Sequence, residues 1–383
     1  MTIAPDVDVS VWGAGADGVA ALERELMRVR RGRAAHQREQ VAAVARAAVV
    51  NIVVLATREE HALRASRTAR ELAMRHPSRA IVVLTDRRPE GAAPAISLHA
   101  QLSAVDRFDQ VSYEQILVRA RGEVSDRLAS VVVPLLVADL PVFVWWTGTP
   151  PIGQRHFEDL VALADRLVVD SADFARPELM LPELGRLCVV GAKHCALTDL
   201  NWARLTPWRE LITQDFDVPA WREWLDAIDG FRVGFAVDAD GRDIHPSQAL
   251  LLIAWLASRL GWRASEPMAP SEAGGLLFAM RRPDGVRVRI RIRPRFEMGM
   301  TEGDVSGVRI QARRGERTAE FYLSGYDRPG YAACTVRMDG RTVAERIVPL
   351  VRPDVVGLLG EELTILAGDR IYEEALALLL TLS

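Results

Sequence analysis

A five-residue run that is apolar on both of its faces constrains the fold more than any other stretch of the chain. Every side chain in Val142–Trp146 is aliphatic or aromatic. Successive residues of a strand point to opposite faces, so both faces of this strand must be buried. Strands of this kind belong to parallel sheets that are covered by helices on each side. The run therefore predicts an α/β layer.

The loop that ends this strand is the first place to look for a functional site. Thr147 and Gly148 follow Trp146, and two prolines close the loop at Pro150 and Pro151. In an open α/β sheet, ligands and partners bind beyond the carboxyl ends of the strands. We therefore take Trp146, Thr147 and Gly148 as candidates for binding a partner.

Residues 1–222 are predicted to form an α/β domain with a mostly parallel sheet. Val49–Ala56 and Ala80–Thr85 are apolar strand-like runs, and Glu59–Arg75 between them has helical periodicity. This order predicts a right-handed βαβ unit. Further strands are expected at Ile96–Ala104 and Tyr113–Ala120.

Two proline-containing stretches of the same domain are predicted to be helices. Ser125–Val137 precedes the tryptophan strand, and Asp199–Phe216 carries three apolar side chains at helical spacing. Proline inside a helix removes a hydrogen bond and clashes with the preceding turn. A kink is therefore expected at Pro134, and a kink or a break at Pro207.

Residues 223–383 are predicted to form an α+β domain with an antiparallel meander. Short strands run from Leu276 to Pro349 and are separated by turn signals such as Pro283-Asp284-Gly285 and Asp339-Gly340. Two helices, Asp354–Leu366 and Asp369–Leu382, are expected to end the domain. The domain boundary is expected near residue 222.

Charge and composition exclude several mechanisms. The chain has 383 residues and a net charge of −3, which gives no global electrostatic argument for nucleic acid. Lys193 is the only lysine among the 48 basic residues, and no P-loop motif is present. The first ten residues lack an apolar core of the kind found in signal peptides. The longest apolar runs are too short to span a bilayer, so we expect a cytoplasmic protein.

A glycine motif near the start offers an alternative function. Gly13–Gly18 reads G-x-G-x-x-G between a possible strand and a helix, which is the spacing of a dinucleotide-binding loop. The motif requires an acidic residue at the end of a second strand. Glu39 has roughly that spacing but lies in a helix-like stretch. The motif is also consistent with an ordinary loop that Asp17 caps at a helix start.

Two long motifs carry a resemblance to a known family. The first is D-L-P-x-x-x-W-W at Asp139–Trp146, and the second is T-D-L-x-W-x-R-L-T-P-W-R at Thr198–Arg209. With them the chain resembles the OpcA family, the glucose-6-phosphate dehydrogenase assembly proteins of bacteria. Further residues match the family, namely Asn51, His76-Pro77-Ser78-Arg79, Pro246-Ser247, Glu361-Glu362-Leu363 and Tyr372.

The resemblance implies a non-catalytic protein of the pentose phosphate pathway. It would bind glucose-6-phosphate dehydrogenase and promote assembly of the active oligomer or activate it allosterically, with no cofactor or metal of its own. Tryptophan and arginine are frequent hot-spot residues of interfaces. We therefore add four residues of the second motif as candidates for partner binding, namely Trp202, Arg204, Trp208 and Arg209.

An arginine-rich strand predicts a basic sheet face. Arginines at every second position from Arg287 to Arg295 alternate with Val288, Ile290 and Ile292, and a period of two gathers the guanidinium groups on one side. Further candidates for binding an acidic partner surface are therefore Arg287, Arg289, Arg291 and Arg293. Glu320 is expected to relieve the repulsion with Arg309 and Arg313 on neighbouring strands.

Two other interpretations of this face remain open. It could be a solvated surface, because antiparallel sheets commonly leave one face wet. It could also make the chain a polyanion-binding protein through residues 287–295, although RNA binding needs aromatic platforms that this strand lacks.

The cysteines favour neither a metal nor a disulfide scaffold. Cys188 and Cys195 are six residues apart and Cys334 is remote, which does not match the spacing of zinc ligands. Asp139 precedes the tryptophan strand, where an aspartate side chain can accept hydrogen bonds from nearby backbone groups. We therefore expect Asp139→Ala to harm folding more than activity. We also expect the loop Thr147–Gly153 to lie close to Thr198–Arg209.

Overall fold

The described residues form two compact units. The computed structural model describes residues 7–12, 24, 48–73, 75–86, 96–104, 112–190, 195–238, 245–272, 274–297, 299–325, 328, 330–364 and 367–382. The first unit comprises Met1–Asp170, Ala192–Thr198 and Asp354–Gly368, and the second comprises Ser171–Gly191, Asp199–Pro353 and Asp369–Ser383. The units are interleaved in sequence, and the boundary expected near residue 222 stays a prediction.

An eight-stranded, mostly parallel sheet forms the centre of the first unit, as the sequence predicts. Its strands lie in the order β1-β4-β5-β3-β2-β6-β7-β8. Strands β5, β3, β2, β6 and β7 pair in parallel, whereas β4 and β1 are antiparallel to their neighbours. The strands are β1 Val7–Trp12, β2 Val50–Ala56, β3 Ser78–Asp86, β4 Ile96–Ala104, β5 Ser112–Arg121, β6 Val142–Trp146, β7 Arg166–Val169 and β8 Ala196–Asp199.

The strand order identifies the point of this sheet where a ligand would bind. Six neighbouring strands of this sheet lie in the spatial order β5-β3-β2-β6-β7-β8. When these six are renumbered 1 to 6 by their order along the chain, the spatial order reads 3-2-1-4-5-6. This is the order of doubly wound dinucleotide-binding sheets, whose crevice opens where the strand order reverses. The reversal lies between β2 and β6, so the loop after β6 is at this switch point.

Helix α1, Glu59–Leu72, packs against β2 and β3 of this sheet. In α1 the buried alanines Ala62, Ala65 and Ala69 recur at helical spacing, and β2 is buried along its whole length. The helices are α1 Glu59–Leu72, α2 Leu128–Val132, α3 Arg155–Val161, α4 Pro177–Val190, α5 Leu200–Arg204, α6 Thr206–Asp217, α7 Pro219–Arg222, α8 Ser247–Arg259, α9 Val355–Glu362 and α10 Arg370–Leu380.

Of the two helices predicted with internal prolines, Ser125–Val137 is wrong as one kinked helix, whereas the break allowed at Pro207 is confirmed. The stretch Ser125–Val137 contains the five-residue helix α2 followed by a 3-10 turn, and Pro134 lies in the first turn of that segment. The stretch Asp199–Phe216 is divided into α5 and α6, with Pro207 at the start of α6. Proline lacks an N–H and is tolerated in the first turn, so each proline begins a segment rather than kinking one.

The second unit is built on an eight-stranded sheet with one buried face. Its order is β10-β11-β12-β9-β13-β14-β15-β16, and only the pair β9–β12 is parallel. This confirms the predicted antiparallel meander. The strands are β9 Ile228–Val237, β10 Arg263–Pro270, β11 Leu276–Arg281, β12 Arg287–Phe296, β13 Val305–Arg314, β14 Arg317–Gly325, β15 Tyr331–Met338 and β16 Arg341–Pro349.

Asn51 holds the loop that leads into β6. Its side chain is fully buried, and its Nδ2 donates to the carbonyl oxygens of Val137 and Leu140 at 3.0 and 3.3 Å. Its Oδ1 accepts from the Val137 amide at 2.9 Å. Arg79 supports the same region, since its Nη1 donates to the Leu135 carbonyl at 2.6 Å.

The hydrogen bonds expected of Asp139 are therefore made by Asn51. In the described part of the chain the Asp139 side chain is exposed and makes no hydrogen bond. Its backbone is instead left-handed, with φ at 63°. This conformation is costly for most residues and is tolerated best by glycine, asparagine and aspartate.

We expect Asn51→Ala to lower the free energy of unfolding by about 2–3 kcal/mol, because it leaves buried backbone groups without partners. Asp139→Ala should cost about 1 kcal/mol through its backbone conformation alone. Chemical denaturation measures both changes.

Asp139→Gly is the matched control, since glycine adopts positive φ freely. Its stability should equal or exceed that of the unchanged chain. An Asp139→Gly variant as unstable as Asn51→Ala would contradict this assignment.

Candidate functional site

The outer face of the second sheet carries the arginines that the sequence predicts. On β12 the side chains of Val288, Ile290 and Ile292 are fully buried, each with 0% exposure. Arg287 precedes Val288, Arg289 lies between Val288 and Ile290, and both arginines are exposed. The predicted alternation of β12 is confirmed, and we call this arginine-bearing side of the sheet the basic face.

Three arginines lie side by side across the middle of the basic face. Arg232 on β9 pairs with Arg291 on β12 and with Arg309 on β13. Like charges directly opposite one another destabilise a sheet. Burial lowers the pKa of Arg232, and the charges of Arg293, Arg309, Arg291 and Arg295 lower it further. The Nε of Arg232 is buried and has no hydrogen-bond partner among the residues that the structure describes.

Carboxylates compensate only part of this charge. One oxygen of Glu320 lies 3.7 Å from Arg309 Nη1, and the other lies 3.7 Å from Arg337 Nη1. The role predicted for Glu320 is therefore confirmed for Arg309. The side chains of four arginines make no ion pair or hydrogen bond in the described part of the chain, namely Arg289, Arg291, Arg293 and Arg295.

A groove of about 620 Å³ opens at one end of the basic face. Its wall includes Gly234 on β9 and Gly307 on β13, two positions at which the strand carries no side chain. We call this cavity the arginine groove. Its polar and aromatic lining comprises Arg232, Arg293, Arg295, Arg309, Arg352, Glu297, Ser306, Ser324, Trp208, Tyr322 and Tyr331.

The arginine groove brings together two predicted candidates, Trp208 and Arg293. Trp208 comes from the second motif and Arg293 from the arginine strand. Trp208 is only 5% exposed, so it contributes an edge rather than a face. Arg232 and Ser306 are not among the residues predicted from the sequence. The only signal was the two glycines that flank Arg232 on β9, because glycine within a strand often marks a close approach.

The remaining residues of the second motif build a buried hydrogen-bond network. Asp199 Oδ1 accepts from the amides of Ser171 and Asn201, each at 2.9 Å, and Asp199 Oδ2 accepts from Tyr372 at 3.2 Å. Asn201 Nδ2 in turn donates to Ser171 Oγ and Ser247 Oγ at 3.1 and 2.9 Å. These contacts tie the start of α5 to the starts of α8 and α10.

Trp202 and Arg209 stack within the second unit. The guanidinium carbon of Arg209 lies 3.8 Å from the Trp202 ring, and Tyr372 packs 5.2 Å from that ring. The Trp202 indole donates to Asp369 at 2.7 Å and is 5% exposed. Burial lowers the pKa of Arg209 to about 10. Arg204 is half-buried. These contacts occupy most of the Trp202 ring, and the partner roles of Trp202, Arg204 and Arg209 stay predictions.

The other three candidates lie in the first unit, at the switch point of its sheet. Trp146 is 4% exposed and packs with its ring centroid 5.3 Å from that of Phe157. Thr147 Oγ1 donates to the Leu55 carbonyl at 2.8 Å, and Gly148 has φ at 76°. The expected closeness of this loop to Thr198–Arg209 stays a prediction, because residues 199–209 belong to the second unit.

The same switch point bears on the alternative of dinucleotide binding. The first turn of α1 carries Glu59 and Glu60, and carboxylates there would repel the pyrophosphate that a helix N-terminus otherwise binds. The motif Gly13–Gly18 lies outside the described residues. The strand before it, β1, is an edge strand rather than the central strand that the fingerprint follows.

Comparison with known proteins assigns the chain to a family. A model described as the glucose-6-phosphate dehydrogenase subunit N-terminal domain matches residues 69–186. A second model, described as the C-terminal domain of the same subunit, matches residues 195–376. The chain belongs to the OpcA family.

Curated OpcA relatives are longer than this chain. A Synechocystis relative named OxPP cycle protein OpcA is 26% identical over 329 residues, which are 84% of this chain and 66% of the relative. The Nostoc punctiforme protein of the same name is 33% identical over 198 residues, or 51% of this chain and 41% of the relative. The chain thus spans about two thirds or less of the length of these relatives.

A solved structure resembles this OpcA chain in fold. Glucose-6-phosphate 1-dehydrogenase from Mycobacterium avium superposes with a TM-score of 0.53, covering 88% of this chain and 91% of that chain. The sequence identity is 13%, so the likeness concerns the fold alone.

The cysteines of this OpcA chain are free thiols. Burial raises the pKa of Cys195 and of Cys334 to about 11 each, so both are protonated at neutral pH. Cys188 is half-buried. The described residues contain no group of three metal-ligating side chains. No helix among them has the length and apolarity to cross a bilayer.

We expect Arg232→Met to raise the free energy of unfolding by up to about 1 kcal/mol at low salt, since it removes a like-charge contact that solvent partly screens. The gain should shrink as salt increases. Denaturation at two ionic strengths measures it.

Arg337→Met is the control for this prediction, because Arg337 has a partner in Glu320. It should leave stability unchanged or lower it. If Arg232→Met and Arg337→Met stabilise the chain equally, repulsion among Arg291, Arg232 and Arg309 makes no distinct contribution to its stability.

Proposed function

We propose that this chain binds glucose-6-phosphate dehydrogenase and promotes its assembly or activity, without catalysing a reaction itself. Membership of the OpcA family supports the choice of partner. The observation that supports the docking surface is that Arg289, Arg291 and Arg293 of β12 make no side-chain ion pair in the described chain, whereas Arg287 pairs with Glu266 at 2.7 Å. Such a surface favours an acidic partner, whose carboxylates would supply the missing counter-charges.

The proposed effect on the dehydrogenase follows from mass action. A protein that binds one assembly state more tightly than the others shifts the population toward that state. The basic face would also steer the encounter, because charged surfaces chiefly raise the association rate. Activation should therefore depend on the ratio of the two proteins and on ionic strength.

Two features support a role without catalysis. Acidic side chains occupy the helix N-terminus at which this type of sheet binds pyrophosphate. The chain also has only one lysine. The alternative is that the chain is an NADP-binding accessory protein or oxidoreductase that uses Gly13–Gly18. This alternative is not supported, because the strand before the motif is an edge strand and not a central one.

We expect the purified chain alone to show no NADP-dependent oxidation of glucose 6-phosphate. A spectrophotometric assay of NADPH formation tests this, with the partner dehydrogenase as the positive control. Turnover that co-purifies with this chain, and that persists after any dehydrogenase contaminant is removed, would refute the non-catalytic role.

We expect the double variant Arg289→Glu/Arg291→Glu to associate with the dehydrogenase at least about tenfold more slowly at low salt, because charge reversal removes steering. The difference should narrow as salt increases. Surface plasmon resonance measures the association rate, and dehydrogenase kinetics at varied protein ratios measure activation.

A matched control variant undergoes the same change in net charge as Arg289→Glu/Arg291→Glu. Arg263→Glu/Arg341→Glu reverses two exposed arginines on the edge strands β10 and β16. It should associate at nearly the unchanged rate. If both double variants behave alike while remaining folded, the β12 surface is not the docking site.

A further inference from the structure

A buried hydroxyl without a partner lies in the arginine groove. Ser306 is 6% exposed, and its Oγ makes no hydrogen bond among the described residues. A Cβ atom added at Gly234 would lie 2.7 Å from this oxygen, so the glycine leaves the space into which the hydroxyl projects. A buried polar group without a partner destabilises a fold, which makes a ligand atom an evident missing partner.

The groups around Ser306 are positively charged. Five arginines line the groove, and the buried Nε of Arg232 also lacks a partner. Glu297 is the one carboxylate in the described lining, and it is exposed. Two nearby acids already have arginine partners, since Asp304 bonds Arg352 at 2.9 Å and Glu320 lies near Arg309. The groove therefore has a large excess of donors and positive charge.

We propose that the arginine groove binds a small molecule that carries a phosphate or diphosphate group. Arginine presents a planar fork of donors that matches phosphate oxygens. The volume falls within the range of about 300–1,000 Å³ that is usual for small-molecule sites. Arg232 and Ser306 would donate to the phosphate from the strands beneath it, and Arg293, Arg295 and Arg309 would neutralise its charge.

A phosphate matches the groove better than a carboxylate from a protein partner. A phosphoryl group carries a charge of about −1.5 to −2 and three acceptor oxygens, whereas a carboxylate offers one charge and two oxygens. Tyr322 and Tyr331 at the side of the groove can contact the uncharged part of the molecule. Arg309 already stacks on Tyr322 at 5.0 Å, which holds its guanidinium in position.

The ligand proposal does not rest on the proposed dehydrogenase partner, although Arg293 belongs both to the groove and to the proposed docking surface. Arg289 belongs to the docking surface but does not line the groove. A bound phosphate would counter the repulsion across Arg291, Arg232 and Arg309, and a ligand that binds only the folded state raises its stability. Ligand binding should therefore appear as thermal stabilisation of the chain alone.

The test measures thermal unfolding and calorimetric binding of the full chain with inorganic phosphate, pyrophosphate, glucose 6-phosphate and NADP. Glucose serves as the uncharged control, and sodium chloride holds ionic strength constant. At least one phosphate compound should give a saturable rise in melting temperature, and glucose should give none. Absence of a saturable response to all four would overturn the proposal.

Two variants tie binding to the groove. Ser306→Ala and Arg232→Gln should each weaken binding by about tenfold, because each removes a donor to a charged group. Ser306→Ala loses no hydrogen bond of the free chain and should fold normally. Arg289→Gln, a neighbouring loss of one charge outside the groove, should bind with nearly unchanged affinity.

The outcomes separate the ligand site from the docking surface. Equal weakening by Arg289→Gln and Arg232→Gln would indicate general charge attraction and overturn the groove assignment. Unchanged phosphate binding in Ser306→Ala together with Arg232→Gln would also overturn it. A chain that binds the dehydrogenase but no phosphate compound would reject this site and leave the proposed function standing.

Discussion

Electrostatic repulsion across the centre of the second sheet is the constraint on which the functional surface depends. Arg291, Arg232 and Arg309 occupy one row on three adjacent strands, and the burial of Arg232 reduces the screening by water. Gly234 next to this row has no side chain, and a Cβ atom added there would lie 2.7 Å from Ser306 Oγ. A sheet that retains such a row gains stability from any anion that binds there, whether it belongs to a protein or to a small molecule.

The residues that carry the family resemblance have mainly structural roles. Asn51 fixes the loop before β6, and Asp199 joins the starts of α5 and α10. Trp202 lies between Arg209 and Tyr372. These contacts give each of the three residues a structural role, while the partner roles predicted for the second motif stay predictions. The groove instead draws most of its lining from strands of the second unit, whose sequence is less distinctive.

Local sequence patterns predicted much of the fold. The apolar run at Val142–Trp146 predicted a buried parallel strand, and the period of two in Arg287–Arg295 predicted the basic face. Pro134 misled the helix assignment, because it lies in the first turn of a 3-10 segment instead of kinking a helix. The break allowed at Pro207 separates α5 from α6. Strand β10 was missed because Arg263–Pro270 is largely exposed and contains two prolines, so it lacks the alternation of a half-buried strand.

The arginine groove could not be predicted because it depends on pairing between distant segments. Arg232 and Arg291 become neighbours only when β9 and β12 pair in parallel, with α8 and two strands between them in the chain. Ser306 lies where the register of β13 shifts against β9, and such an irregularity has no clear sequence signature. The residues of the groove are therefore individually ordinary and are distinctive only in combination.

Residue-resolved arginine labelling in the presence of glucose-6-phosphate dehydrogenase tests directly whether the β12 arginines bind this partner. A dicarbonyl reagent modifies accessible guanidinium groups, and mass spectrometry quantifies each site with and without the partner. Labelling of Arg289, Arg291 and Arg293 should fall when the dehydrogenase is added, while Arg263 and Arg341 react as before. Unchanged labelling of the β12 arginines in a saturated complex would contradict their role in docking.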